Sequence, residues 1–127
     1  MRRLALVAAA AALALPAVAW AGGWATVKLS SAPTGAVAGA PWKVRITVLQ
    51  HGVTPLDDVK PFVRIRKGQL TKTFPARPTA ATGVYAARVV FPGPGVWRYS
   101  VWDGFVAYGG ARTHAYAPVR VAAAPGA

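Results

Sequence analysis

Large apolar and polar residues alternate most regularly over positions 42–48. The apolar members of this run share one side of an extended chain: Trp42, Val44, Ile46 and Val48. The polar members share the other side: Lys43, Arg45 and Thr47. Successive side chains of a β-strand point to opposite faces of its sheet, so this pattern predicts a strand with one face in a core and one in water.

Similar segments recur along the chain, separated by turns rich in proline and glycine. Seven strands are predicted in this way, at positions 24–29, 42–48, 62–66, 70–74, 83–91, 96–101 and 115–121. No stretch after the N-terminal segment sustains a helical period. This turn spacing is typical of sandwiches, so the sequence predicts an all-β fold, an immunoglobulin-like antiparallel sandwich of seven strands.

The first 21 residues predict a secretory signal peptide. Arg2 and Arg3 precede an apolar run over positions 4–19, and Ala19-Trp20-Ala21 fits the small-x-small cleavage pattern before Gly22. The alternative is an uncleaved membrane anchor, although the run is alanine-rich and near the lower length limit for a span. We therefore expect three segments: a signal peptide at 1–21, one sandwich domain at 22–122 and a disordered tail at 123–127.

Composition narrows the possible chemistry. The 127 residues contain no cysteine, which excludes disulfides, thiol chemistry and cysteine-based metal sites. Lysine and arginine number 15 against 3 acidic residues, a net charge of +12. For an exported chain this charge favours an envelope protein face, an anionic polymer or a lipid surface as partner, and not nucleic acid.

The segment from Gly83 to Val101 carries two related strands, which begin Gly83-Val84-Tyr85 and Gly95-Val96-Trp97 and are joined by a Pro/Gly turn. In this pattern the segment resembles the C-terminal half of YtkA-like domains. Those domains are small exported immunoglobulin-like modules, related in shape to the FixH family and more distantly to CopC-type periplasmic copper carriers. The resemblance implies a fold and an extracytoplasmic compartment, and it carries over no activity.

Two groups of residues are candidates for binding. Strand alternation points Arg64, Arg66 and Arg98 outward, and an immunoglobulin-like strand order would make their strands neighbours. Like charges that close cost stability in a sheet, which favours a neutralising partner. The second group is an aromatic loop of Trp102, Phe105 and Tyr108. We expect these aromatic side chains either to cover one end of the sandwich or to form an exposed patch for a partner.

A metal site is the alternative hypothesis. His51 with Asp57 or Asp58, together with His114, offers imidazole and carboxylate ligands that suit copper or zinc. The signal-processed chain would lack methionine, and its start at Gly22-Gly23-Trp24 has no histidine in third place. These features count against CopC-like copper binding.

Catalytic motifs are absent from the sequence. No serine lies in a Gly-x-Ser-x-Gly elbow. Ser100, His114 and Asp103 have the residue types of a catalytic triad, but no sequence motif links them. The sequence therefore predicts a non-catalytic, cofactor-free module, secreted or held in the extracytoplasmic cell envelope, that binds through a basic face and an aromatic loop. A weak copper-handling accessory domain is the alternative.

Overall fold

The computed structural model describes residues 23–126; the predicted signal peptide and Ala127 lie outside this range. Ten strands lie within it: β1 (Ala25–Leu29), β2 (Pro41–Gln50), β3 (Thr54–Pro55), β4 (Phe62–Lys67), β5 (Leu70–Pro75), β6 (Arg77–Pro78), β7 (Val84–Val90), β8 (Gly95–Trp102), β9 (Thr113–Ala115) and β10 (Val119–Val121). One turn of 3-10 helix covers Ala107–Gly109. Across residues 23–126, no helix has the length and apolar character needed to span a bilayer.

The strands form two antiparallel sheets. The first has the order β1-β2-β7-β6, with β3 beside β2, and the second has the order β10-β8-β4-β5, with β9 beside β8. The first sheet corresponds to strands A, B, E and D of an immunoglobulin-like sandwich, and β10, β8 and β4 correspond to G, F and C. The predicted all-β sandwich is confirmed.

The core lies between the two sheets and is built by strand alternation. Val44, Ile46 and Val48 are buried from β2, and Trp97, Tyr99 and Val101 are buried from β8. Their polar neighbours along the same strands face outward, because consecutive strand residues alternate between faces. The inward and outward faces predicted for these strands are therefore the observed ones.

Strand number is where the structure differs from the prediction. The two-residue strands β3 and β6 were not predicted, because two residues are too few to establish an alternating pattern. The predicted last strand, 115–121, is divided into β9 and β10, which pair with different parts of β8. Pro118 lies between them and has no N–H to donate to a ladder. Residues 123–126 follow β10 outside both sheets.

A buried tyrosine joins β7 to the loop after β3. The Tyr85 hydroxyl donates a hydrogen bond of 2.7 Å to the Leu56 carbonyl and accepts one of 3.4 Å from the Val59 N–H. Burial raises the pKa of Tyr85 above its ordinary value; the Val59 bond lowers it in part, and the charges of Asp57 and Asp58 add to the rise. The folded state therefore favours the neutral phenol.

This pKa shift predicts a loss of stability in alkali. Unfolded tyrosine ionises near pH 10, so the stabilisation is complete below that pH and is lost as the pH rises through the higher folded pKa. Urea unfolding between pH 8 and 11 should show this decline, and Tyr85→Phe should flatten it in part, since burial also raises the pKa of Tyr99 and Tyr116. An equal flattening by Tyr108→Phe, which removes an exposed hydroxyl, would contradict this explanation.

Candidate functional site

Three arginines cluster on the outer face of the second sheet. Arg66 on β4 is the direct cross-strand partner of Arg98 on β8, and Arg64 pairs with Ser100. Arg64 is therefore diagonal to Arg98, at roughly 7 Å between side-chain bases. All three are exposed. We call Arg64, Arg66 and Arg98 the basic face.

The basic face has no carboxylate counterpart on its own strands. The chain has three acidic residues, and none of them lies on β4, β5 or β8. Among residues 23–126 the one close contact between a basic and an acidic side chain joins His114 to Asp103. Like charges directly opposite each other destabilise a sheet by a few tenths to about 1 kcal/mol, so an anion bound between Arg66 and Arg98 relieves a cost built into the fold.

Local contacts orient two of these arginines. The Arg64 guanidinium lies 5.1 Å from the centre of the Phe62 ring, a cation–π contact. Arg66 donates from Nε to the Gly68 carbonyl at 3.2 Å. A guanidinium carries five N–H donors, so neither contact occupies all the N–H groups of its arginine.

A shallow depression adjoins the basic face. It measures about 340 Å³ and is lined by Arg66, Lys67 and Arg98 together with Gly68, Val96 and Pro118. Lys67 donates from Nζ to the Pro94 carbonyl at 2.7 Å, which holds its charge at the rim. Arg120 on β10 is also exposed and pairs with Val96 beside this depression. Sequence reasoning missed Arg120, although the alternation in Val119-Arg120-Val121 would have indicated it.

The aromatic loop does not form one surface. Trp102 is half-buried on the outer side of β8, where its ring stacks on that of cross-strand Phe62 at 6.2 Å. Phe105 is 4% exposed and belongs to the core, so its predicted place on a binding surface is wrong. Its ring packs in the core cluster, and its backbone N–H donates to the buried Asp103 carboxylate. Tyr108 is 78% exposed, with a left-handed φ of 59°.

The carboxylate of Asp103 is fully buried and organises the chain from β8 to β9. It accepts hydrogen bonds from the backbone N–H groups of Phe105 at 2.9 Å and Arg112 at 3.2 Å. His114 contacts it through Nε2 at 2.8 Å. These bonds hold both ends of the loop in place. Asp103 therefore has a structural role, which accounts for its burial.

The residues proposed for a metal site each contact different partners. The His51 ring packs on Trp24 at 4.8 Å, Asp57 accepts a bond from the Gly83 N–H at 3.4 Å, and His114 pairs with Asp103. Asp58 is exposed in the loop after β3. Within the described range, no three histidine or acidic side chains are grouped as metal ligands. The copper alternative stays a prediction that a Cu(II) titration tests.

Ser100 does not complete a triad with His114 and Asp103. Ser100 pairs with Ala115 and shares the outer side of β8 with Arg98 and Trp102, whereas His114 pairs with Val101, which is buried. Alternation therefore directs Ser100 and His114 to opposite faces of the second sheet.

The comparisons with known proteins leave the family open. No protein-family model matches the chain, and a search of the curated proteins finds none that matches it. The resemblance to YtkA-like domains accordingly stays a prediction that depends on the two strands beginning at Gly83 and Gly95.

Proposed function

We propose that the chain is an exported, non-catalytic binding module of the cell envelope that holds an anionic polymer on its basic face. The observation that carries this proposal is the direct pairing of Arg66 with Arg98, with Arg64 diagonal to them. The depression beside them gives an acidic group a place to approach Arg66, Lys67 and Arg98 together. Arginine binds phosphate and carboxylate in a two-point geometry, which suits either kind of acidic polymer.

The neighbouring aromatic pair extends this surface. Trp102 and Phe62 stack at one end of the outer sheet surface, and Arg64 lies over Phe62. A polymer that crosses the basic face meets apolar ring surface next to the charges, which suits repeating units with carbon-rich linkers. Trp102 remains part of the proposed site; Tyr108, at the far end of the loop, is left as an exposed contact for the envelope surface.

A charge-removal variant tests the proposal. Arg64→Gln/Arg66→Gln/Arg98→Gln should weaken the binding of a soluble anionic polymer at the basic face about 100-fold at low salt, at about 1 kcal/mol for each cation near an anionic surface. The salt dependence of the affinity should fall by roughly one unit of log–log slope for each lost phosphate contact. Fluorescence anisotropy of a labelled polyphosphate chain at several salt concentrations measures both.

The matched control removes three other exposed cations: Lys28→Gln/Lys72→Gln/Arg112→Gln. It has the same net charge as the test variant, so it separates a local site from general attraction. Equal losses in both variants would contradict a site at the basic face. If the unaltered chain binds only vesicles of anionic lipid, or only an acidic protein, the choice of an anionic polymer as the partner is overturned.

A further inference from the structure

A second group of cations lies on the outer side of the first sheet. Lys43 on β2 and Arg88 on β7 are cross-strand partners, and Arg45 on β2 and Arg77 on β6 both pair with Ala86 of β7. All four cations are exposed. They line a groove of about 610 Å³, which we call the cationic groove.

The groove depends on the small side chain of Ala86. Adjacent strands lie about 4.8 Å apart, so Arg45 and Arg77 stand roughly 10 Å apart with only a methyl group between them. Phe74 and Pro75 line the groove where the chain passes from the second sheet to the first. The result is an apolar floor under a rim of positive charge.

No acidic residue lines this groove. Ser30 adds a hydroxyl at the rim: its Oγ accepts a 2.8 Å hydrogen bond from the Arg45 N–H, which leaves the hydroxyl hydrogen available to a ligand. The groove thus combines four cations with one neutral donor. A volume of this order is within the range of ligand sites in proteins.

We propose that the cationic groove binds a linear phosphodiester polymer, in which phosphates alternate with short polyol linkers. The cations form two rows, Lys43 with Arg88 and Arg45 with Arg77, which are two residues apart along β7. Two strand residues span about 7 Å, so each row receives one of two successive phosphates. Arginine forks bind the phosphate oxygens, and the linker carbons lie over Ala86 and Phe74.

This inference goes beyond the proposed function and does not depend on it. The cationic groove and the basic face lie on the outer surfaces of different sheets. One molecule therefore holds two polymer chains at once, and either site can fail without the other.

Calorimetric titration with a six-repeat glycerol-phosphate oligomer tests the groove. The unaltered chain should bind two oligomers. Arg45→Gln/Arg77→Gln should lower the affinity of one site about tenfold or more and lower that of the other site no more than the loss of two distant charges does. Ala86→Trp should do the same without changing the charge, because the indole fills the floor at an exposed strand position that favours aromatic residues. Thermal unfolding of each variant checks that it is folded.

The control Lys72→Gln/Arg112→Gln removes two charges outside both sites and should lower both affinities slightly and alike. The groove is refuted if Ala86→Trp binds within twofold of the unaltered chain, or if the control loses as much affinity as the groove variant. Equal binding of a polyglutamate of the same charge would overturn the assignment to phosphate. Loss of the second site alone, on substitution of the basic face, would leave the groove assignment intact.

Discussion

Asp103→Ala is expected to lower the free energy of unfolding by about 2–5 kcal/mol, because two backbone N–H groups lose a fully buried carboxylate acceptor. The substitution leaves the N–H groups of Phe105 and Arg112 without their acceptor, and an unsatisfied buried donor costs about 1–3 kcal/mol. His114 loses its partner as well. Urea unfolding measures the total, and amide hydrogen exchange at Phe105 and Arg112 reports the loosened loop.

Two companion variants make this expectation specific. Arg112→Gln keeps the backbone N–H that binds Asp103, so its effect should stay within about 0.5 kcal/mol, as for other surface substitutions. His114→Ala should cost less than Asp103→Ala, and the double variant should cost less than the sum of the two, because they share one hydrogen bond. A loss below 1 kcal/mol for Asp103→Ala would mean that the carboxylate does not hold the loop.

Trp97→Ala is expected to have an effect of similar size, about 3–5 kcal/mol. The indole is 1% exposed, meets Phe91 edge-on at 5.7 Å and donates from Nε1 to the Gly93 carbonyl at 2.9 Å. Its removal opens a large cavity between the sheets and frees a turn carbonyl. Domains of this size have a free energy of unfolding of only about 5–15 kcal/mol, so the substitution would remove much of it.

Trp97→Phe is the conservative comparison. It keeps an aromatic ring in the core but gives up the bond to Gly93, so its cost should be clearly smaller than that of alanine. Val96→Ala, at a half-exposed position next in sequence, should change stability little. Chemical unfolding of the three variants ranks their free energies of unfolding. A Trp97→Ala domain as stable as Val96→Ala would contradict the central place of this side chain in the core.

The long strands could be predicted from the sequence because burial on one face imposes a period of two. Val44 and Ile46 on β2, and Tyr99 and Val101 on β8, repeat this period often enough to be recognised. Strands β3 and β6 contain two residues each, and their pairing depends on where distant segments meet. That information is not local, so neither strand has a pattern of its own.

The same distinction applies to the sites. The basic face was predicted because Arg64, Arg66 and Arg98 lie on strands with a strong period. Arg77 falls between the predicted strands 70–74 and 83–91, so its approach to Arg45 across Ala86 was not predicted. Asp103 follows the inward positions 99 and 101 but lies beyond the end of the predicted strand at 101. Alternation extended two residues beyond Val101 would have predicted its burial.

Phe105 illustrates why exposure of an aromatic loop cannot be predicted from its composition. The residues Trp102, Phe105 and Tyr108 are close in sequence but occupy three environments: an outer sheet surface, the core and an exposed turn. The Phe105 ring packs in the core, and its backbone N–H donates a hydrogen bond to the buried Asp103 carboxylate, a contact between residues that composition does not reveal.

Titration with a glycerol-phosphate oligomer, followed by amide and arginine side-chain NMR shifts, tests directly whether the basic face binds an anionic polymer. Binding at the basic face should give saturable shifts at Arg64, Arg66 and Arg98 and along β4 and β8, and salt should reverse them. A separate set of shifts at Arg45, Arg77 and Ala86 marks the cationic groove. Shifts confined to the loops around Val53 and Tyr108, or no saturable shifts at low salt, would contradict binding through the basic face.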